Sequence, residues 1–114
     1  MRKPQTTYEL WGRQCRSGWD ALVQPLEEEV SQLGGRIRQV KQKFGRLYFF
    51  YSLPRSTSEP QRLTFAQTVR HAEEMSVRIC ETCGNAGTLF NDGGIYLTRC
   101  ETCFKARRGL WSRE

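Results

Sequence analysis

The first clear pattern in the chain is a helical spacing of apolar residues between positions 19 and 33. These residues form one face at steps of three and four: Trp19, Leu22, Val23, Leu26, Val30 and Leu33. The spacing predicts a helix over residues 18–33. Pro25 has no backbone N–H, so a break is expected near it, and Gly34 and Gly35 provide the stop. The polar residues 1–10 are expected to be irregular.

Two β-prone runs follow, on either side of a short segment that contains Gly45. They predict a β-hairpin with glycine in its loop. The first run, residues 36–43, is basic and has few apolar residues. The second is nearly all aromatic or aliphatic, and its alternate residues Leu47, Phe49 and Tyr51 are expected to face the core.

A second helix is predicted over residues 61–78, after a loop rich in proline and serine. Its buried face is expected to carry Phe65, Val69, Ala72, Ser76 and Ile79. Two short strands, residues 88–91 and 95–99, are then predicted around a turn with two glycines. The tail from residue 104 is basic and is expected to form a short helix.

The strongest chemical signal is a pair of Cys-x-x-Cys motifs, separated by sixteen residues, that flank these two strands. The four cysteines are Cys80, Cys83, Cys100 and Cys103. Two such turns can aim four sulfurs at one metal about 2.3 Å away, and this spacing is typical of a structural zinc site. A thioredoxin-like redox pair would need a helix start in a βαβ unit, which neither motif has. We therefore predict one structural Zn²⁺ in a zinc ribbon.

Composition narrows the class of protein. The chain has 114 residues, of which 38% are hydrophobic, so one small domain with a modest core is expected. Its net charge of +6 favours nucleic acid or an acidic protein surface as partner. No signal peptide or membrane-length apolar run is apparent, and five cysteines with four in metal-like pairs fit a reducing compartment. We expect a cytoplasmic protein with no membrane partner.

The remaining reactive residues give no catalytic set. Cys15 is expected to be a small buried apolar residue, with a reactive thiol as the alternative. His71 is the only histidine and has no nucleophile motif beside it, so a structural or solvent-facing role is expected. We predict no enzymatic activity.

Three stretches of the chain resemble a family of small bacterial and phage proteins. Gly18-Trp19 opens the first helix, residues 39–49 resemble a "QVKxKFGxLRFY" hairpin motif, and residues 80–87 match "CExCGxxG". The resemblance covers residues 17–105 and departs at Tyr48, where the family tends to have arginine, and in a long loop before the second helix. It implies an α+β fold of helix, β-hairpin, helix and C-terminal zinc ribbon. From the motifs themselves we expect two units, residues 1–79 and residues 80–114, packed as one body. The resemblance implies no activity, but it implies a bacterial cytoplasm, or that of the host if the protein is phage-encoded.

The hairpin carries the main functional hypothesis. Basic and aromatic residues there and in the tail are candidates for contacting nucleic acid or another partner: Arg36, Arg38, Lys41, Lys43, Arg46, Tyr48, Phe50, Arg107 and Arg108. Cations would contact phosphates while the rings stack on bases. In the alternative reading, the lysines and arginines only solvate an edge strand and discourage aggregation.

Two functions follow from these patterns. The first is a non-enzymatic zinc-ribbon module that binds nucleic acid or a nucleoprotein. The second is a phage-encoded inhibitor, for example an anti-CRISPR protein, that binds an acidic surface of a host protein or anchors through Trp11.

Overall fold

The computed structural model describes the backbone of residues 4–112 and the side chains of residues 4–107. Its fold is mixed α+β, as predicted. The elements run α1 (Thr7–Trp11), β1 (Arg13–Gln14), a 3₁₀ turn (Ser17–Trp19), α2 (Asp20–Gln32), β2 (Arg36–Lys43), β3 (Arg46–Ser52), α3 (Glu59–Ser76), β4 (Thr88–Asp92), β5 (Ile95–Arg99) and α4 (Glu101–Ser112).

The predicted hairpin is confirmed and forms most of a three-stranded sheet of order β1-β2-β3. β2 and β3 are antiparallel, with Lys41 opposite Tyr48, while the short β1 runs parallel to β2. The two loop residues, Phe44 and Gly45, have φ of 55° and 80°. Two positive φ values suit the tight hairpin turn that follows the twist of the strands.

Helices α2 and α3 pack on one face of this sheet and enclose the core. The buried apolar side chains are Trp19, Val23, Leu26, Val30, Ile37, Val40, Leu47, Phe49, Phe65, Val69 and Ala72. The predicted faces of both helices are therefore confirmed. Trp19 is fully buried, and its indole nitrogen donates to the carbonyls of Ser76, at 3.1 Å, and Ile79, at 2.9 Å.

The N-terminal residues and Pro25 correct two expectations. Residues Thr7–Trp11 form a helix because Thr6 and Glu9 make a reciprocal capping box, with bonds of 3.0 and 3.1 Å. Helix α2 is not split at Pro25. Both Pro25 and Ala21, whose carbonyl loses its usual donor, are exposed, so water can replace the missing backbone bond.

Helix α3 also covers the free edge of β3. The hydroxyl of Ser76 accepts from the backbone N–H of Leu47 at 2.9 Å, and the carboxylate of Glu73 accepts from that of Phe49 at 3.0 Å. These bonds occupy donors that an edge strand would otherwise present to another chain.

The C-terminal part contains the second hairpin, β4–β5, between the two cysteine motifs. We call residues 80–103 the cysteine ribbon. It contacts the tip of the first hairpin, where the Thr98 hydroxyl donates to the Gly45 carbonyl at 2.5 Å. Among the described residues, no helix combines the length and the apolar character needed to cross a membrane.

Candidate metal centre and cationic sheet face

The structure brings the sulfurs of Cys80, Cys83, Cys100 and Cys103 together, all within 4.8 Å of one another. The Sγ atoms of Cys83 and Cys100 are 3.7 Å apart. A tetrahedron with metal–sulfur bonds of about 2.3 Å has edges of about 3.8 Å. The four sulfurs therefore have the donor chemistry and the spacing of a metal site.

Tight backbone turns hold the sulfurs in place. After Cys80 the chain curls so that the N–H of Gly84, at φ 84°, donates to the Cys80 carbonyl at 2.9 Å. On the other side, the backbone N–H of Cys103 points at the sulfur of Cys100 at 3.4 Å. The second turn runs directly into α4, so one pair sits on a loop and the other at the start of a helix.

The pKa values of the cysteine thiols, and the repulsion between thiolates, explain why a cation suits this cluster. Burial opposes ionisation of Cys80, but backbone N–H donors from Cys100, Cys83 and Thr82 outweigh it and lower the pKa of Cys80 to about 6. The pKa of Cys103 is instead raised to about 12, chiefly by its interaction with Cys100. Four adjacent thiolates repel one another, so a bound cation is needed to hold all four ionised.

A buried carboxylate ties the first cysteine turn to the sheet. Glu81 is 4% exposed, and its Oε1 accepts from the backbone N–H of Thr98 at 2.9 Å and from the Gln42 amide at 3.2 Å. Gln42 also donates to the Tyr96 carbonyl and accepts from the N–H of Gly45. Hydrogen bonds of Glu81 and Gln42 thus connect the first cysteine turn to both hairpins.

Gly18 forms the second connection. Its N–H donates to the Glu81 carbonyl at 2.8 Å. A Cβ at this position would lie 2.2 Å from the Cys80 carbonyl oxygen, so only glycine allows this contact. The cysteine ribbon is therefore packed directly against the start of α2.

The second feature of interest is the sheet face opposite the core, which we call the outer face. By the strand register it carries Arg38, Gln39, Lys41, Lys43, Arg46, Tyr48 and Phe50. None of these side chains is buried, and Phe50 is 49% exposed. The ammonium groups of Lys41 and Lys43 lie 5.6 and 5.2 Å from the Tyr48 ring centre, and the rings of Tyr48 and Phe50 are 6.0 Å apart.

Six of the nine predicted binding residues are therefore on the outer face. The other three, Arg36, Arg107 and Arg108, are not among the residues assigned to it. Arg36 binds the carboxylate of Glu9 at 2.7 and 2.8 Å and holds α1 against β2. Arg107 forms an ion pair with Asp92 at 3.0 Å. Arg108 lies outside the described side chains.

Sequence reasoning missed three residues that shape these sites. Thr82, Glu81 and Arg99 all stand next to metal-site cysteines, but only the folded structure shows that they are partly or fully buried beside the cluster. Cys15 is partly buried against the core, and burial raises the pKa of its thiol to about 11. His71 is exposed on α3.

Comparison with family models, with curated proteins and with solved structures gives no match to this chain. The family resemblance noted in the sequence stays a prediction.

Proposed function

We propose that this protein is a non-catalytic zinc-ribbon module that binds nucleic acid through the outer face of its sheet. The observation that carries the proposal is the grouping of Lys41, Lys43 and Arg46 with the rings of Tyr48 and Phe50 on one surface. Cations and exposed rings in alternation are what a nucleic-acid strand requires, because the cations contact phosphates and the rings stack on bases.

The pairing state of these cations supports the proposal. Among the described residues, no carboxylate forms an ion pair with Lys41, Lys43 or Arg46. Elsewhere on the surface, Arg13, Arg36 and other cations are neutralised by acidic neighbours. The outer face therefore keeps its positive charge for an external partner.

Zinc is the metal we propose for the four-cysteine cluster. Thiolate ligands select soft or borderline cations, and four thiolates in a tetrahedron suit zinc. Such a sphere leaves no open position for a water or substrate, so the metal would stabilise the fold and take no part in chemistry. Its role here would be to hold β4–β5 against the tip of the cationic hairpin.

Fluorescence anisotropy with labelled single- and double-stranded oligonucleotides tests the proposed binding. The key variant is Lys41→Gln/Lys43→Gln/Arg46→Gln. We expect affinity to fall steeply with salt for the wild type. For a single strand, removing three phosphate contacts should reduce the slope of log K against log salt by about 2.

A matched control separates the outer face from net charge. Arg55, Arg70 and Arg78 are exposed and belong to neither β2 nor β3, and their replacement by glutamine removes the same three charges. This control should keep most of the wild-type affinity. Equal losses in both variants, or no binding by the wild type at low salt, would refute the proposal.

A second candidate function rests on a different surface. Leu10 and Trp11 are adjacent on α1 and are 56% and 71% exposed, so they form a small apolar patch. They could anchor a protein partner, in keeping with an inhibitor of a host complex. Pull-down from nuclease-treated lysate would favour this function if capture is lost on Trp11→Ala and kept in the outer-face variant.

A further inference from the structure

A cavity of about 610 Å³ lies between the first cysteine turn, β5 and α4, away from the outer face. Its polar and charged lining includes Arg16, Glu81, Thr82, Arg99, Cys103 and Arg107. Three arginines in one cavity are a large positive charge for a domain of this size. We call it the arginine pocket.

Two buried polar groups in this pocket have no partner. Arg99 is only 8% exposed, and its Nε is buried without a hydrogen bond among the described residues. The hydroxyl of Thr82 is likewise buried without a hydrogen-bond partner among the described residues. Because unpaired buried polar groups are rare and costly in folded proteins, such a pair calls for a partner outside the chain, an ordered water or a ligand.

The nearby carboxylates do not accept hydrogen bonds from these two unpaired groups. Glu81 lines the cavity, but its carboxylate accepts from Thr98 and Gln42 and forms no ion pair with Arg16 or Arg99. Asp92 pairs with Arg107. Arg16 and Arg99 are thus the cations of the pocket that have no carboxylate partner among the described residues, and the ligand that matches them is an acceptor-rich anion.

We propose that the arginine pocket binds a phosphate group. Guanidinium groups pair with phosphate through several parallel hydrogen bonds, and the Thr82 hydroxyl can donate a further one. The volume exceeds that of a bare phosphate and has room for a nucleotide. The pocket can therefore accept a phosphate that is attached to a larger molecule.

The source we propose is the terminal phosphate of a nucleic-acid strand, and this part rests on the proposed function. Arg16 lines the pocket and comes two residues after Gln14, which pairs with the outer-face residue Lys41 in the sheet. Two residues of chain therefore link the pocket to the strand next to the outer face. A terminal phosphate carries up to about two negative charges at pH 7, which suits the excess of arginine better than the single charge of an internal phosphodiester.

Arg99 has one competing role. A zinc ion with four thiolates has a net negative charge, and a nearby guanidinium could serve only as its counter-charge. Under that role, replacing Arg99 would weaken zinc binding and leave phosphate binding unaffected. The experiment therefore measures both properties.

The test is an NMR titration of the zinc-loaded full chain with inorganic phosphate and adenosine monophosphate, following the Nε–H resonance of Arg99. We expect saturable shifts of this resonance. Thr82→Val and Arg16→Gln should each weaken binding by about threefold or more, and Arg99→Gln by about tenfold, since each removes a donor to a charged acceptor. Arg55→Gln, which changes an exposed arginine outside the pocket, should have no effect.

Absence of shifts with either ligand at millimolar concentration would overturn the site. So would an Arg99→Gln variant that loses zinc while phosphate affinity stays unchanged. Because Arg99 is buried, Thr82→Val and Arg16→Gln keep the test valid if Arg99→Gln does not fold.

Oligonucleotides with a 5′-phosphate or a 5′-hydroxyl, and with a 3′-phosphate, test the source. Tighter binding of a phosphorylated end, lost in Thr82→Val, supports the strand end as ligand. Equal binding of all oligonucleotides overturns that source. If phosphate and adenosine monophosphate bind while no oligonucleotide does, the pocket stands and the proposed nucleic-acid function falls.

Discussion

Replacing Gly18 by alanine tests how the cysteine ribbon is held on the rest of the domain. The new Cβ would lie 2.2 Å from the Cys80 carbonyl oxygen and 2.4 Å from the carbonyl carbon of Glu81. Contacts under 3.0 Å are essentially never seen for real Cβ atoms. Both neighbours are backbone, so no side-chain rotation relieves the overlap.

The size of the effect follows from three contributions. Overpacking costs about 1–3 kcal/mol. Displacement of the ribbon also weakens the 2.8 Å bond from the Gly18 N–H to the Glu81 carbonyl, which costs about 0.5–1.5 kcal/mol. Alanine also lowers the conformational entropy of the unfolded chain, which offsets about 0.4–1 kcal/mol of the destabilisation. We therefore expect Gly18→Ala to lower the free energy of unfolding by about 0.5–4 kcal/mol.

Urea unfolding of the zinc-loaded protein measures this change, and competition with a chromophoric chelator measures zinc affinity in the same variant. Zinc affinity should fall as well, because Cys80 is one of the displaced residues. Ser17→Ala, at an exposed neighbouring position, is the control and should change stability by no more than about 0.5 kcal/mol. A Gly18→Ala protein as stable as the wild type, with unchanged zinc affinity, would refute the packing described here.

Three further predictions concern single residues. The bond with Arg36, helped by the Thr6 N–H, lowers the pKa of Glu9 from 4.5 to about 2, so the ion pair stabilises the fold above pH 4.5 and is lost as the pH falls towards 2. Carbon-detected NMR should find this pKa, and Arg36→Gln should raise it while the Thr6 N–H still holds it below 4.5. A wild-type midpoint above pH 4 would contradict the ion pair. The thiol of Cys15 should be alkylated more slowly than that of Cys80 after chelation, because burial raises the pKa of Cys15 to about 11 while that of Cys80 is lowered to about 6. Mass spectrometry that finds Cys15 modified before Cys80 would contradict this. Trp19→Phe should lower the free energy of unfolding by about 2 kcal/mol or more, because it removes the N–H donor to two carbonyls and leaves a cavity. Thermal unfolding measures the loss, and an unchanged midpoint would contradict the role of the indole.

The elements with regular patterns were predictable from sequence alone. The spacing of apolar residues located both long helices, and the cysteine motifs located the metal cluster within the ribbon. These features are local in sequence, since a helix face or a Cys-x-x-Cys turn needs only a few neighbouring residues. The capping box of Thr6 and Glu9 was also a local signal, and it would have revealed α1.

The features that the sequence did not indicate depend on contacts between distant segments. Arg36 resembled Lys41 as a candidate cation, but Glu9, 27 residues earlier, neutralises it. Whether Pro25 splits α2 depends on how the carbonyl of Ala21 is satisfied without its donor, and only the packed structure shows that both residues are exposed to water. The arginine pocket joins residues 16, 82, 99 and 107, which no sequence motif connects.

The most direct test of the central claim is to map where a nucleic acid contacts the zinc-loaded protein. Backbone amide shifts on titration with a short single-stranded oligonucleotide locate the contact residue by residue. We expect the largest shifts in β2 and β3, at Lys41, Lys43, Arg46, Tyr48 and Phe50. No shifts, or shifts confined to α1 around Leu10 and Trp11, would contradict the assignment of the outer face as the nucleic-acid surface.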